Sequence, residues 1–483
     1  MQWDARPPQG QRGTYGFYRV FSNPVAPKRG EITLGSVSDT TIGLFVQDAW
    51  TVADRLTINL GLRTENETVP FYSSVGSSGS VPPIHFSMLD KMAPRAGAAW
   101  DVTGDGRWKV HGSWGVFYDI FKLAMPQLAF GGTQSKSYFF KLETYDWPHL
   151  LDSPGCPPTC PGGVARPPVQ TDPSFENIDP GLDPMRTQEL TVGVEHQLTA
   201  RLAVSARVVH KQIDKAVEDI GSVDADGKAI YVIGNPGYGH ATEAFAGVPY
   251  PEAVRDYDAV ELVARRRLER NWALTASYVW SRLHGNYSGL SESDENGRTD
   301  PNVGITFDDA VGLFDDEGQV IDGPLATDRP HQAKAQLVYT APSGVNVGVF
   351  QMLASGLPVT RFVPLAEALA PVFYAGRNSD GRTPALSQTD VSVQYVRPLG
   401  GRTRLTVGLN VLNVFNQAVG ISRFSRETAQ GASVVVDEAD YYAGRADVAA
   451  AMDAQHTPRD PRFLQYEYFQ DPIKARLSVR FSF

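Results

Sequence analysis

No stretch of 18 or more apolar residues occurs in this 483-residue chain. The nearest approach, residues 362–376, is broken by Glu367 and is too short for a spanning helix, which needs about 20 residues. An α-helical membrane protein is therefore not expected. A transmembrane β-barrel stays open, because each of its strands shows lipid only every second side chain. Positive charge is in deficit: 44 Lys and Arg against 54 Asp and Glu leave a net charge of −10. That argues against a nucleic-acid partner, which needs a basic footprint. Cysteine is nearly absent. Cys156 and Cys160, in Cys-Pro-Pro-Thr-Cys, read as a local disulfide of an oxidising compartment rather than as a redox-active pair. Without a second pair there is no four-ligand structural zinc. No Gly-x-Ser-x-Gly elbow, His-Glu-x-x-His pair or phosphate loop is present, and the nine histidines are scattered. We therefore expect no enzyme, no cofactor and no metal centre.

What the chain has in quantity is glycine (45), proline (34) and aromatics (10%), a composition for many strands and many turns. The organising pattern is a hairpin repeated six times, each made of two strands of about ten residues with period-2 apolar alternation. The first has Ile42, Leu44, Val46 and Trp50, a turn at 51–55, then Leu56, Ile58, Leu60 and Leu62. The next five turn near 101–107, 199–201, 268–271, 340–344 and 398–402. A last strand covers residues 474–483, with Ala475, Leu477, Val479, Phe481 and Phe483 apolar and Lys474, Arg476, Ser478, Arg480 and Ser482 polar. Another strand is expected within residues 14–21, for about 14 in all.

Connection lengths alternate. Turns inside hairpins are short, whereas the links between hairpins are long, as at residues 119–186. Outer-membrane barrels show this because one rim is periplasmic and tight and the other extracellular and elaborated. The fold class expected is thus all-β, an antiparallel transmembrane barrel with long extracellular loops and short periplasmic turns. Counting hairpins puts Phe483 on the short-turn rim, in the periplasm. Trp50, Trp100, Trp108, Trp272, Tyr339 and Tyr395 all lie within about three residues of a short turn and on the apolar phase, as a periplasmic aromatic girdle requires. Lys109, His111, Arg207, Arg476 and Arg480 fall on the other phase, which would face a hydrated interior. The link 281–329 is acidic (Asp294, Asp300, Asp308, Asp309, Asp315, Asp316, Glu317), but it lacks the spacing of a calcium loop and reads as solvated. Asp224-Ala225-Asp226-Gly227 reads as a turn, and a short helix is expected within 446–454.

Several motifs resemble those of TonB-dependent receptors, nearest to their Oar-like branch. Residues 41–50 (Thr-Ile-Gly-Leu-Phe-Val-Gln-Asp-Ala-Trp) and 55–63 (Arg-Leu-Thr-Ile-Asn-Leu-Gly-Leu-Arg) are similar to one family hairpin. Pro94-Arg95-Ala96-Gly97 with residues 112–119 resembles the next. Ser355-Gly356-Leu357-Pro358-Val359-Thr360, Asn410-Val411-Leu412-Asn413-Val414-Phe415-Asn416 and the closing Arg480-Phe481-Ser482-Phe483 follow in family order. The resemblance covers residues from about 40 to the end. It implies a 22-stranded barrel plugged by an N-terminal domain and powered by TonB, ExbB and ExbD. No plug and no TonB-contacting box is found in the sequence, so such coupling would act only through a region missing here. Met1-Gln2-Trp3-Asp4 also lacks the charged and apolar regions of a signal peptide. The expectation is a C-terminal barrel portion (residues 41–483) behind a partial strand and loop (residues 1–40). Its partners would be outer-membrane lipid and lipopolysaccharide. The barrel-assembly machinery would read Leu477, Val479, Phe481 and Phe483. The expected function is uptake of a scarce solute (a siderophore, vitamin, glycan or peptide). A passive channel of about 14 strands and a surface adhesin are the alternatives.

Overall fold

In the computed structural model, the described residues are 3–4, 13–22, 37–69, 84–123, 125, 129–130, 135–144, 146–150, 152–171, 176–223, 229–242, 248–269, 271–289, 307, 309–366, 368 and 370–483. One large sheet dominates. Its strands are β1 (Thr40–Val52), β2 (Leu56–Val69), β3 (Ala93–Asp101), β4 (Trp108–Tyr118), β5 (Arg186–Gln197), β6 (Leu202–Lys215), β7 (Arg255–Glu269), β8 (Trp272–Gly285), β9 (His331–Thr340), β10 (Val345–Ala354), β11 (Leu386–Gly400), β12 (Thr403–Leu412) and β13 (Lys474–Ser482). They pair in chain order, each antiparallel to the last. All six hairpins and the terminal strand thus stand where the period-2 pattern puts them. Among the described residues, β1 and β13 have no second neighbour in this sheet.

The register shows why the alternation matters. Directly opposed residues share a face, so apolar residues line up in rows across strands. One row is Leu202, Arg266, Leu274 and Leu337; the next runs Trp108, His196, Val204, Ala264 and Ala276. Then come Trp100, Val110, Val194, Ala206, Leu262 and Tyr278, followed by Val192, Val208, Val260 and Trp280. Many of these large apolar side chains are exposed, among them Trp100, Trp108, Val192, Val208, Leu262 and Trp280. Four rows about 6.8 Å apart span roughly 20 Å, close to the apolar band of about 25 Å that a bilayer needs. One step further, the row carries His210, Asp258 and Arg282, with His210 Nδ1 2.8 Å from Asp258 Oδ1.

Two expectations are corrected. The strand expected within residues 14–21 exists as Phe17–Ser22, but it does not join the large sheet. It pairs with Ser135–Lys141, and with Val164–Thr171 beyond that forms a separate small sheet. Its own core of Tyr18, Val20, Phe140, Leu142, Leu150 and Cys160 explains why its apolar residues look like a barrel strand's. The large sheet therefore has thirteen strands along its main path. The long links are also not merely solvated polar loops. They contribute most of the buried core: Phe121, Phe130, Ile220, Ile233, Tyr287, Leu313, Val363, Tyr441 and Met452 belong to one cluster, which Val69 at the end of β2 joins. Within the links, Val448–Ala454 is helical, capped by the Asp447 side chain accepting from the Ala450 N–H.

Candidate functional site

The long links leave the sheet at fixed roots, and the motifs of the sequence sit at those roots. At the end of β12, Asn413 takes a left-handed conformation (φ 48°), as does Asn416 (φ 49°), which a short amide side chain tolerates. The Asn413 side chain donates to the carbonyls of Gln417 and Asp471, both at 2.8 Å, and its backbone N–H donates to Asp390 Oδ1 at 2.8 Å. Asn416 Oδ1 accepts the N–H of Ile473 at 2.9 Å. One Asn-rich turn therefore ties β11, β12 and the entry to β13. At the end of β10, the Ser355 hydroxyl accepts the His331 N–H at 3.1 Å, and Thr383 Oγ1 accepts the Leu357 N–H at 2.9 Å. A Cβ on Gly356 would fall 1.6 Å from the Thr383 carbonyl oxygen, so this close crossing needs glycine.

Above the roots, buried ions hold the links together. Lys91 and Glu67 are paired, and their side chains are 0% and 1% exposed. Glu67 also accepts the Phe121 N–H at 2.7 Å, and Lys91 donates to the Asp119 carbonyl at 3.1 Å. Both partners are thus satisfied, as buried charge requires. A second network joins Arg361 to Asp380 and Arg459 to Glu427, while the Tyr374 hydroxyl donates to Glu427 at 2.6 Å. Burial beside Glu427 pushes the Tyr374 phenol up to about 12, and the hydrogen bond that Arg361 donates to Asp380 raises the guanidinium. Asp219, buried beside Glu176, has its carboxyl pushed up to about 6 by desolvation.

The polar face of the sheet carries two clefts. The first, about 440 Å³, lies towards the long-link ends and is lined by Phe117, Thr187, Glu189, Lys211, Arg255 and Tyr257. The second, about 450 Å³, lies at the short-turn end, with Arg107, Lys109, Glu195, Arg201, Arg265 and Arg267 around it. Between them His111 lies over Gly193: a Cβ there would sit 2.7 Å from the imidazole. His111 Nε2 is 3.6 Å from Glu195, so it is part of a charged row and not an isolated ligand.

The girdle candidates Trp50, Trp100, Trp108, Trp272, Tyr339 and Tyr395 lie on one face near the short turns, and all but Trp272 are strongly exposed. Trp108 stacks on His196 at 3.8 Å, and the Arg266 guanidinium covers Trp272 at 3.5 Å. Trp114, Tyr278 and Trp280 stand on the same face towards the other end; their spacing of six to eight residues from the turn was the available signal. Leu477, Val479 and Phe481 are exposed on the edge strand β13, and Phe483 is exposed just beyond its end. Cys156 and Cys160 are joined, with Cα atoms 4.6 Å apart, beside the small sheet's core. Among the acidic candidates, Asp309 caps a short 3₁₀ helix, and Asp315 accepts the N–H groups of Glu317 and Gln319. These are turn bonds. Asp294, Asp300, Asp308 and residues 224–227 lie outside the described residues.

The chain is similar to several known proteins. The curated TonB-dependent transporter Oar of Myxococcus xanthus is 28% identical over 408 residues, covering 79% of this chain and 36% of the relative. The chain therefore spans little more than a third of that protein. The outer membrane transporter YddB from Escherichia coli aligns over 84% of this chain and 46% of its own, with 12% identity and a TM-score of 0.49. The ferripyoverdine receptor of Pseudomonas aeruginosa aligns over 83% and 38%, with 14% identity and a TM-score of 0.45. The family model of the outer membrane β-barrel domain matches residues 29–366. A match over that much of the sequence, on a sheet of this form, makes the chain a member of the outer membrane β-barrel family, a protein of the Gram-negative outer membrane.

Proposed function

We propose that this chain forms the barrel portion of a TonB-dependent receptor that takes up a scarce solute and catalyses no reaction. The observation that carries this reading is the similarity to a TonB-dependent transporter over 79% of the chain, and the parity of the sheet is compatible with it. β1 and β13 both run from the long-link end to the short-turn end, so they cannot pair antiparallel with each other. An odd number of further strands must lie between them, which a 22-stranded barrel satisfies with nine. The motif order and the relationship to a transporter support the same reading. A passive channel of about 14 strands would meet the same parity with one further strand, and it is the motif order and the transporter relationship that favour the receptor over it.

In this reading the long links are extracellular and form the capture surface, with the 440 Å³ cleft below them as the first site inside. Trp50, Trp100, Trp108, Trp272, Tyr339 and Tyr395 form the periplasmic girdle against lipid, and lipopolysaccharide meets the opposite rim. Leu477, Val479, Phe481 and Phe483 are the segment read by the barrel-assembly machinery. TonB, ExbB and ExbD act through a plug region. The experiment is uptake by whole cells. Depletion of solutes from defined medium by cells expressing the full-length gene product should stop when either this gene or the TonB gene is deleted. Depletion that persists without TonB, with steady conductance in planar bilayers, would favour the channel.

A further inference from the structure

In the long links several arginines are matched with acid: Arg361 with Asp380, Arg382 with Asp328, Arg459 with Glu427 and Arg462 with Asp460. The small sheet departs from this. Phe17–Ser22 runs in unbroken antiparallel register against Ser135–Lys141, with Arg19 opposite Phe139 and Phe21 opposite Ser137, so all four share one face. There the Arg19 guanidinium lies 4.1 Å from the Phe21 ring centre and 5.6 Å from that of Phe139. Its Nε and Nη2 donate to the buried Ser137 hydroxyl at 2.9 and 2.7 Å. The exposed Arg166 reaches the same ring from the neighbouring strand, 3.6 Å from Phe139 and 5.9 Å from Phe17. The ladder is irregular on that side, and it is these contacts that place Arg166. Phe17, Phe139 and Ala165 form a buried cluster that fixes the platform. Desolvation, and then the nearby Arg166 charge, lower the Arg19 guanidinium from its ordinary value. Among the described residues neither arginine has a carboxylate partner, and beyond the Arg19 bonds to Ser137 neither donates to an acceptor. Glu143, just past this strand, is engaged by Thr14 and acts on Lys141.

We propose that Arg19 and Arg166 form a binding site for an oxyanion, a phosphate, sulfate or carboxylate group presented from outside the cell. An aromatic face supports a guanidinium without neutralising it and leaves its N–H edge free. That edge matches an oxyanion with two parallel hydrogen bonds. Two like charges gathered at one ring repel each other, and an anion that bridges them removes the repulsion. Ser137 holds one edge of Arg19 and acts as a positioning residue. Residues 17–22 precede β1, and residues 135–171 lie in the link between β4 and β5, so both segments belong to the long-link end. The site's place outside the cell rests on the uptake reading; its chemistry does not.

The test uses the full-length gene product purified in detergent, with phenylglyoxal as the arginine reagent and mass spectrometry to read each position. Inorganic tripolyphosphate is the first probe. Modification of Arg19 and Arg166 should slow about tenfold, a change worth about 1.4 kcal/mol. Arg445, ion-paired with Asp440 in another link, should keep its rate. Arg19→Gln should abolish the protection of Arg166, and Arg19→Lys should keep part of it. If Arg19→Gln loosens the small sheet, seen as faster amide exchange over residues 135–141, Arg166→Gln serves instead, with protection read at Arg19. An unchanged rate at both arginines, equal slowing at Arg445, or protection of one arginine that survives loss of the other overturns the site. Lipopolysaccharide micelles are the second probe. Protection by them as strong as by tripolyphosphate assigns the oxyanion to a lipid headgroup, and protection by tripolyphosphate alone assigns it to a free solute. On intact cells, polyphosphate too long to cross the outer membrane should still protect Arg166. Protection of the purified protein but not of cells keeps the oxyanion site and contradicts the orientation in the uptake reading.

Discussion

At the scale of single residues, the least replaceable side chains are in the links and at their roots, not in the strands. Removing one partner of the Lys91–Glu67 pair leaves a buried charge unpaired, which costs about 3–5 kcal/mol. Lys91→Met should therefore raise amide exchange around residues 84–91 and 119–121 with the strands still protected, as hydrogen-exchange mass spectrometry would show. Asn413→Ala removes three side-chain bonds and imposes a left-handed conformation on alanine, for a loss of about 2 kcal/mol or more and a lower denaturant midpoint. Asp219 gives a pH dependence of known sign. Its folded carboxyl is raised to about 6, above the usual 3.8, so the folded form holds the proton more tightly than the unfolded chain. The stabilisation is complete below the ordinary carboxylate range and is lost as pH rises through about 6. Exchange in residues 218–223, corrected for intrinsic rate, should increase from pH 4.5 to 7, and Asp219→Asn should flatten that change. The roots were legible as motifs. The ion pairs were not, because Glu67, near the end of β2, and Lys91, in the turn before β3, meet only when the link folds back onto the strand.

At the scale of elements, periodicity carried the reading. A strand with one face to lipid and the other to water must alternate, so Leu202, Val204, Ala206 and Val208 declare β6 without help from the rest of the chain. The links obey no such rule. Their core gathers single apolar residues, such as Phe130, Ile233, Leu313 and Tyr441, from widely separated segments, and no local pattern marks them. Phe17–Ser22 shows the reverse case: it alternates convincingly, yet its partner is Ser135–Lys141. That small sheet has its own core and its own crosslink, so its stability should be separable. Replacing Cys156 and Cys160 with serine removes a very short closed loop, worth about 2 kcal/mol in the chain-entropy picture. Proteolysis within residues 135–171 should speed up, while heat-modifiable migration of the barrel should be unchanged.

At the scale of the whole molecule, the central claim is an orientation: six short turns on the periplasmic side, long links outside, and thirteen strands crossing between them. Among the described residues, β1 and β13 each have one neighbour in the large sheet and so present an edge. Exposed edge strands recruit partners, so these 483 residues refolded alone should aggregate or pair edge to edge. A monodisperse, heat-modifiable species from this segment would argue for closure without further strands. The orientation itself is tested most directly by accessibility on living cells. Arg402→Cys lies in the turn between β11 and β12, and Val435→Cys lies exposed in the link before β13. A membrane-impermeant maleimide applied to intact cells should label position 435 at once, and position 402 only after the outer membrane is permeabilised. Labelling of position 402 on intact cells, or equal labelling of both positions, would contradict a barrel that spans the outer membrane in this sense.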